Sequence, residues 1–204
     1  MQLLIAPLMR IDPVGPPPAV AEGQGAVFTS VQGVYHAPQG AGRPAWCVGQ
    51  ATTRVAVAAG WRAVQAGETA EQLIATLLAS PPDRPLQHIC GEHQRGDIAE
   101  NLATAGLNIR RTVAYRQTLL RLGDAARAAL GGPAIVPLFS PRTALQFAQQ
   151  APENLANVHI VALSDAVAEN LGNLRAAELL VTQAPTGASM LKTVEMLCTS
   201  LTSA

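Results

Sequence analysis

Trp46-Cys-Val-Gly-Gln-Ala-Thr-Thr-Arg-Val-Ala-Val-Ala-Ala-Gly-Trp61 joins a short apolar run to a glycine and then to a helical pattern. Trp46 to Val48 reads as a strand, and Gly49 tolerates the sharp turn that leaves it. Thr52, or Gln50 before it, starts a helix carrying Val55, Ala58 and Ala59 on one face, and Gly60 stops it. Such a strand–turn–helix junction points free backbone N–H groups beyond the sheet edge and favours anions there. G-x-G-x-x-G is absent, so this is no dinucleotide fingerprint.

Working outward, the same shape recurs. Leu3 to Ile11 reads as a strand ending at Asp12-Pro13, and Pro13 to Gly25 as a loop. Ala26 to Ser30 is a strand ending in two hydroxyls, followed by a short helix over 31–37. Arg62 to Gln65 is a strand, and Thr69 starts a helix through Leu73, Ile74, Leu77 and Leu78. Leu86 to Cys90 is a strand, Asp97 caps a helix ended by Gly106, and Asn108 to Leu120 is a long strand directed towards Tyr115.

Three of these units return in the same order. Ala134 to Ser140 followed by Pro141 matches Val27 to Ser30, and Pro141 suits a first helical turn. Val158 to Leu163 with Ser164 matches the opening stretch, Ser164 standing in the place of Gly49. Asp165 is expected to cap the helix that follows. Leu179 to Thr182, with a helix through Met190, Val194 and Leu197, matches Val64 to Leu78. Strands alternating with helices imply parallel sheets covered by helices, and a duplicated set implies two similar α/β domains. Ligands in such sheets bind beyond the strand C-termini.

Composition excludes several classes. Acids and bases balance at 14 each, which argues against a nucleic-acid binder driven by bulk charge. No apolar run approaches the ~20 residues of a membrane span, and no secretory leader is expected. Cys47, Cys90 and Cys198 are far apart and form no C-x-x-C pair, so they read as reduced thiols of a cytoplasmic protein. Glu92-His93 lacks H-E-x-x-H spacing, and His36, His88 and His159 are scattered, so no metal site is expected.

Phe28-Thr-Ser30, Val48-Gly-Gln-Ala-Thr52, Gly91-Glu92 with Arg95-Gly96, Val113-Ala-Tyr115-Arg-Gln-Thr118 and Phe139-Ser140-Pro141 stand in one order over nearly the whole chain. Together they resemble the signature stations of the uroporphyrinogen-III synthase family. The resemblance implies two flavodoxin-like α/β domains with parallel sheets, joined by a two-stranded linker around Pro7 to Ile11 and Arg111 to Thr118. It implies a discontinuous domain over 1–10 plus 119–204 and an inserted one over 11–118. Members begin with an earlier strand ending in Thr-Arg-Pro and a helix, so this chain is expected to be short by about 30 residues, one βα unit. Either its start was assigned too far downstream, the reading favoured here, or the protein is compromised. Members also carry Thr-Thr where Ala166 and Val167 stand.

The implied activity is cofactor-free cyclisation of hydroxymethylbilane to uroporphyrinogen III, with inversion of the terminal pyrrole ring and loss of water, on the route to haem, sirohaem, cobalamin and chlorophyll. The implied enzyme is a cytoplasmic monomeric lyase that receives substrate by a transient hand-off from the preceding deaminase. It has no nucleic-acid or membrane partner. Tyr115 is the expected proton donor to the leaving hydroxyl; the alternative is a strand tyrosine that only packs the linker. Thr29, Ser30, Gly49, Thr52, Ser140 and Ser164 are expected to line the substrate carboxylates with backbone and hydroxyl donors, against a purely helix-capping role for the hydroxyls. Arg95 and Arg142 are expected to pair with carboxylates, against being solvated surface arginines. A non-catalytic two-domain protein that closes on an anionic ligand or a tetrapyrrole is the rival reading, because fold does not decide function.

Overall fold

Side-chain parity along the buried strands sets the layers. In the strand Gly25–Phe28, Ala26 and Phe28 enter one apolar cluster while Val27 enters another. Pro44–Val48 repeats the pattern, with Ala45 and Cys47 on the first side and Trp46 and Val48 on the second. Successive side chains leave opposite faces of a strand, so a sheet covered on both faces needs apolar residues at every position.

The computed structural model describes residues 2–93 and 96–202. The chain divides into two compact units, Ile11–Thr118 and Met1–Arg10 with Leu119–Ala204. In chain order the elements from β1 to β6 are β1 (Met9–Pro13), β2 (Gly25–Phe28), α1 (Val31–Tyr35), β3 (Pro44–Val48), α2 (Gln50–Ala58), β4 (Arg62–Gly67), α3 (Ala70–Ala79), β5 (Leu86–Gly91), α4 (Ile98–Thr104) and β6 (Ile109–Leu119). Their sheet runs β1-β6-β5-β2-β3-β4, and every pair from β6 to β4 is parallel. The crossovers reverse direction between β2 and β5, the first and fourth parallel strands. In the flavodoxin order the reversal falls between the first and third, so this is a variation within the doubly wound class.

The other unit holds α5 (Asp124–Ala129), β7 (Ala134–Leu138), α6 (Pro141–Ala148), β8 (Leu155–Ala162), α7 (Asp165–Glu169), β9 (Ala176–Val181) and α8 (Gly187–Thr202). Its sheet is β7-β8-β9, all parallel. Leu138, Phe147, Ile160 and Val167 fill one core there, and Val161, Met190 and Leu197 a second. The order β7-β8-β9 reproduces β2-β3-β4, and helix capping repeats with it. Ser30 and Ser140 each accept from the backbone N–H three residues on, at 3.1 and 3.2 Å. Thr69 and Thr186 do likewise ahead of α3 and α8, at 3.3 and 3.2 Å. Gly49 and Ser164, at the middle station, make no side-chain cap.

Several sequence expectations are corrected. Only Met9–Ile11 of the Leu3–Ile11 segment is strand, and the strand then continues to Pro13. Leu3 and Ile5 stay 87% and 82% exposed, because an apolar run without a neighbouring strand has no ladder to join. Leu8 is the exception, buried among Leu122, Ala126 and Leu130, with its carbonyl accepting from Leu120 N–H at 2.9 Å. Asp165 does not cap α7: it is the first helical residue, and Ser164 holds the cap position. Asp97 stands at the cap of α4 without a side-chain bond to it. Helix α2, by contrast, starts at Gln50 behind Gly49, the earlier of the two starts that the sequence offered.

Two thiols are buried deeply enough to be inert. Burial pushes Cys47 up to about 11 and raises Cys90 as well, so neither is a thiolate near neutrality. Cys198 is half-buried. At pH 8 an aromatic disulfide reagent is therefore expected to modify at most one thiol rapidly in the folded protein and all three in denaturant. Three rapid equivalents without denaturant would contradict this burial.

Candidate functional site

The candidate site lies where β2 and β5 part company at their C-terminal ends. Beyond β2 the chain carries Thr29 and Ser30 into α1; β5 ends at Gly91, and Glu92 follows it. Doubly wound sheets open at such a reversal because successive crossovers leave on opposite faces. Gly33 lets α1 settle onto β5: a Cβ there would lie 2.6 Å from the Ile89 carbonyl oxygen.

Tyr115 reaches this edge through an irregularity in β6. Cys90 pairs with Val113, yet Gly91 pairs with Tyr115, so Ala114 is an extra residue. A bulge of this kind re-aims the side chain that follows. The phenol then lies against Gly91, where a Cβ would fall 2.7 Å from the ring, so only glycine leaves the space. The Tyr115 hydroxyl is 3.0 Å from Ser30 Oγ, and Ser30 Oγ also accepts from Gly33 N–H at 3.1 Å. Across the ring stands His36, with centroids 5.1 Å apart and planes tilted by 32°. Glu92 N–H donates to the Tyr115 carbonyl at 2.9 Å. Tyr115 is only 4% exposed.

The neighbouring charges are ordered. Arg116 grips Glu92 with two bonds, Nε to Oε2 at 2.9 Å and Nη2 to Oε1 at 3.1 Å, and holds its carboxyl below the usual range. Arg111 Nη2 donates to the Glu92 carbonyl at 2.9 Å. His88, fully buried on β5, has its Nε2 3.4 Å from Thr29 Oγ1. Burial first and the Arg111 charge second push this imidazole down to about 4, so it is neutral at physiological pH.

The remaining sequence candidates fall as follows. Thr29 is half-buried and faces His88, while Ser30 bonds Tyr115. Gly49 has φ +74°, a left-handed conformation that requires glycine, and donates its N–H to Gly67 at 2.8 Å. Thr52 is buried in the first turn of α2, behind an uncapped end. A carboxylate already stands close by, since Glu68 Oε2 is 3.8 Å from where a Cβ on Gly49 would be. In the other unit, Ser140 is committed to its cap and bonds Thr143 Oγ1 at 2.9 Å. Arg142 lies half-exposed in the first turn of α6, and Ser164 half-exposed ahead of α7. Arg95 lies outside the described residues.

Thus Ser30 and Tyr115 are brought into contact, and Thr29 and Gly91 stand beside them. Sequence reasoning treated His36 and His88 as scattered, yet each contacts a site residue. One signal was available for His36: Ser30, Gly33 and His36 are spaced by three, the repeat of a short helix face. The contact of Tyr115 with Gly91 had no such signal, because it depends on the Ala114 bulge. Among the described residues no three His, Cys, Asp or Glu side chains converge as a metal site would require. No helix among them is long and apolar enough to cross a membrane.

Comparison with known proteins bears on the fold and the family. No curated protein sequence is significantly similar to the chain. Among solved structures, the uroporphyrinogen-III synthetase of Helicobacter pylori superposes with a TM-score of 0.70 at 15% identity, covering 93% of this chain and 91% of that one. At that identity the likeness concerns the fold. A mutant uroporphyrinogen III synthase from Thermus thermophilus, also 15% identical, covers 95% of this chain and 88% of its own with a TM-score of 0.47. The family model described as uroporphyrinogen-III synthase HemD matches residues 1–192. A match of that extent, taking in every station from Thr29 to Ser164, places the chain in the uroporphyrinogen-III synthase HemD family.

Proposed function

We propose that the chain closes hydroxymethylbilane to uroporphyrinogen III, acting as a lyase that expels water and inverts the terminal pyrrole ring. Membership of the family supports the reaction, and the hydrogen-bonded Ser30–Tyr115 pair carries the assignment of residues. Departure of the terminal hydroxyl needs a proton, and the azafulvene cation left behind is attacked by the far ring. Ser30 Oγ uses one lone pair to accept from Gly33 N–H, so its own proton is available to the Tyr115 oxygen. The phenol proton is then directed outward to the leaving hydroxyl. The chain N–H to Oγ–H to phenol polarises the donor in the required direction.

The substrate's carboxylates are met by neutral donors in this reading. The uncapped first turn of α2 behind Gly49, with Thr52, is the best placed in its unit, although Glu68 competes there. Ser164, which makes no side-chain capping bond, is the corresponding candidate in the other unit, with Ser140 and Arg142 as supporting contacts there and Arg95 as one in the unit over 11–118. Ring closure draws its electrons from the pyrroles, so the proposal includes no cofactor. The unit over 11–118 and the discontinuous one over 1–10 and 119–204 are taken as the two domains of a cytoplasmic monomer. The bilane is received from the deaminase that makes it.

The test supplies freshly made hydroxymethylbilane to the protein and resolves the oxidised porphyrin isomers chromatographically. Type III product above the spontaneous background is expected. Type I alone, at the uncatalysed rate, would sink the synthase reading and favour a protein that binds without turnover.

A further inference from the structure

We infer that His36 is a positioning residue for Tyr115, a role that rests on the reading of Tyr115 as the proton donor. The phenol is held on three sides. Gly91 lies against the ring, Ser30 Oγ meets the hydroxyl at 3.0 Å, and the His36 imidazole covers the ring at 5.1 Å. Tyr115 packs in the buried cluster with Phe28 and Ile89, and His36 is the aromatic ring paired with it there.

His36 is itself fixed. Its Nδ1 is 2.9 Å from the Gln32 carbonyl, which can only accept, so Nδ1 carries the proton and the ring orientation is set. It stands at the C-cap of α1, whose N-cap is Ser30. One helical turn and a half therefore delivers both the group that meets the phenol hydroxyl and the group that covers the phenol ring. His36 also borders a cavity of about 130 Å³ shared with Pro13, Pro17, Tyr35 and Ala114.

A double-mutant cycle tests this, with the complete chain and hydroxymethylbilane as substrate. His36→Ala is expected to lower kcat about tenfold at constant KM, a cost typical of a displaced catalytic group. His36→Phe, which keeps a flat ring, is expected to recover most of that loss. In a Tyr115→Phe background His36→Ala should cost nothing more, since it acts through the hydroxyl it positions. Additive losses would overturn the inference, as they would report general destabilisation.

A second readout is independent of turnover. The chain contains two tyrosines, Tyr35 and Tyr115, so ring-labelled tyrosine gives two sets of NMR signals, assigned by Tyr115→Phe. His36→Ala should shift and average the Tyr115 ring signals, and His36→Phe should keep them resolved. Unchanged Tyr115 signals in His36→Ala would refute the positioning role even in a protein that proved inactive. Absent turnover in the unsubstituted chain would instead refute the function proposed above.

Discussion

Tyr115→Phe is expected to lower kcat for type III closure about a hundredfold, with KM within about twofold of the parent, the loss typical of a missing general acid. The substitution is chosen for what it leaves in place. The ring still packs against Gly91 and beneath His36, and the buried cluster with Phe28, Trp61 and Ile89 loses no apolar surface. Only the hydroxyl bonded to Ser30 is removed. Stability should therefore change by no more than about 1 kcal/mol, the net worth of one hydrogen bond. Product composition adds a second measure. Bilane that the protein fails to process closes spontaneously to the type I isomer, so the fraction of type I should rise as kcat falls. Full retention of kcat and of the isomer ratio would leave Tyr115 a packing residue and remove the residue assignment, while leaving family membership untouched.

The parts of this architecture that sequence disclosed are those set by local rules. Ser30, Thr69 and Ser140 were legible because a hydroxyl before an apolar helical pattern satisfies an orphan N–H, and each does so here. The strand pairs were legible because parity is local: Val27 and Trp46 face one way, Ala26 and Cys47 the other. What failed depended on partners distant in the chain. Leu3 to Leu8 has strand-like composition, but composition does not supply a neighbouring strand. Asp165 has a capping side chain, but Ser164 occupies the position one residue ahead of it. The candidate site divides in the same way. Ser30 and Tyr115 could be named separately, whereas their contact across 85 residues needed the pairing of β5 with β6 and the extra residue at Ala114. His36 was set aside because a lone histidine shows no ligand spacing. Its contact with Tyr115 is a ring-to-ring contact, and such contacts leave no such spacing.

The unit over 11–118 is expected to lose about 3 kcal/mol of stability between pH 6.5 and pH 4 through one residue, His88. Its imidazole is fully buried, with Nδ1 unbonded and Nε2 3.4 Å from Thr29 Oγ1. The folded protein holds it at about 4 against an ordinary 6.5, because burial and then the Arg111 charge oppose protonation. The sign follows from which state takes the proton first. As pH falls through 6.5 the unfolded chain protonates His88 and is favoured, while the folded chain stays neutral until about pH 4. The contribution is thus complete above pH 6.5, declines by about 1.4 kcal/mol per pH unit through the window, and is exhausted below pH 4. Both tryptophans, Trp46 and Trp61, belong to this unit, so their fluorescence in urea reports its unfolding. His88→Gln and His88→Leu should each flatten the pH dependence by about 3 kcal/mol over that interval. Their stabilities at pH 7 will differ, since Gln keeps a buried polar group and Leu does not, so the slope against pH is the quantity to compare. If both variants retain the parent slope, the acid sensitivity belongs to other groups, and His88 is not the buried neutral base that its burial between β2 and β6 implies.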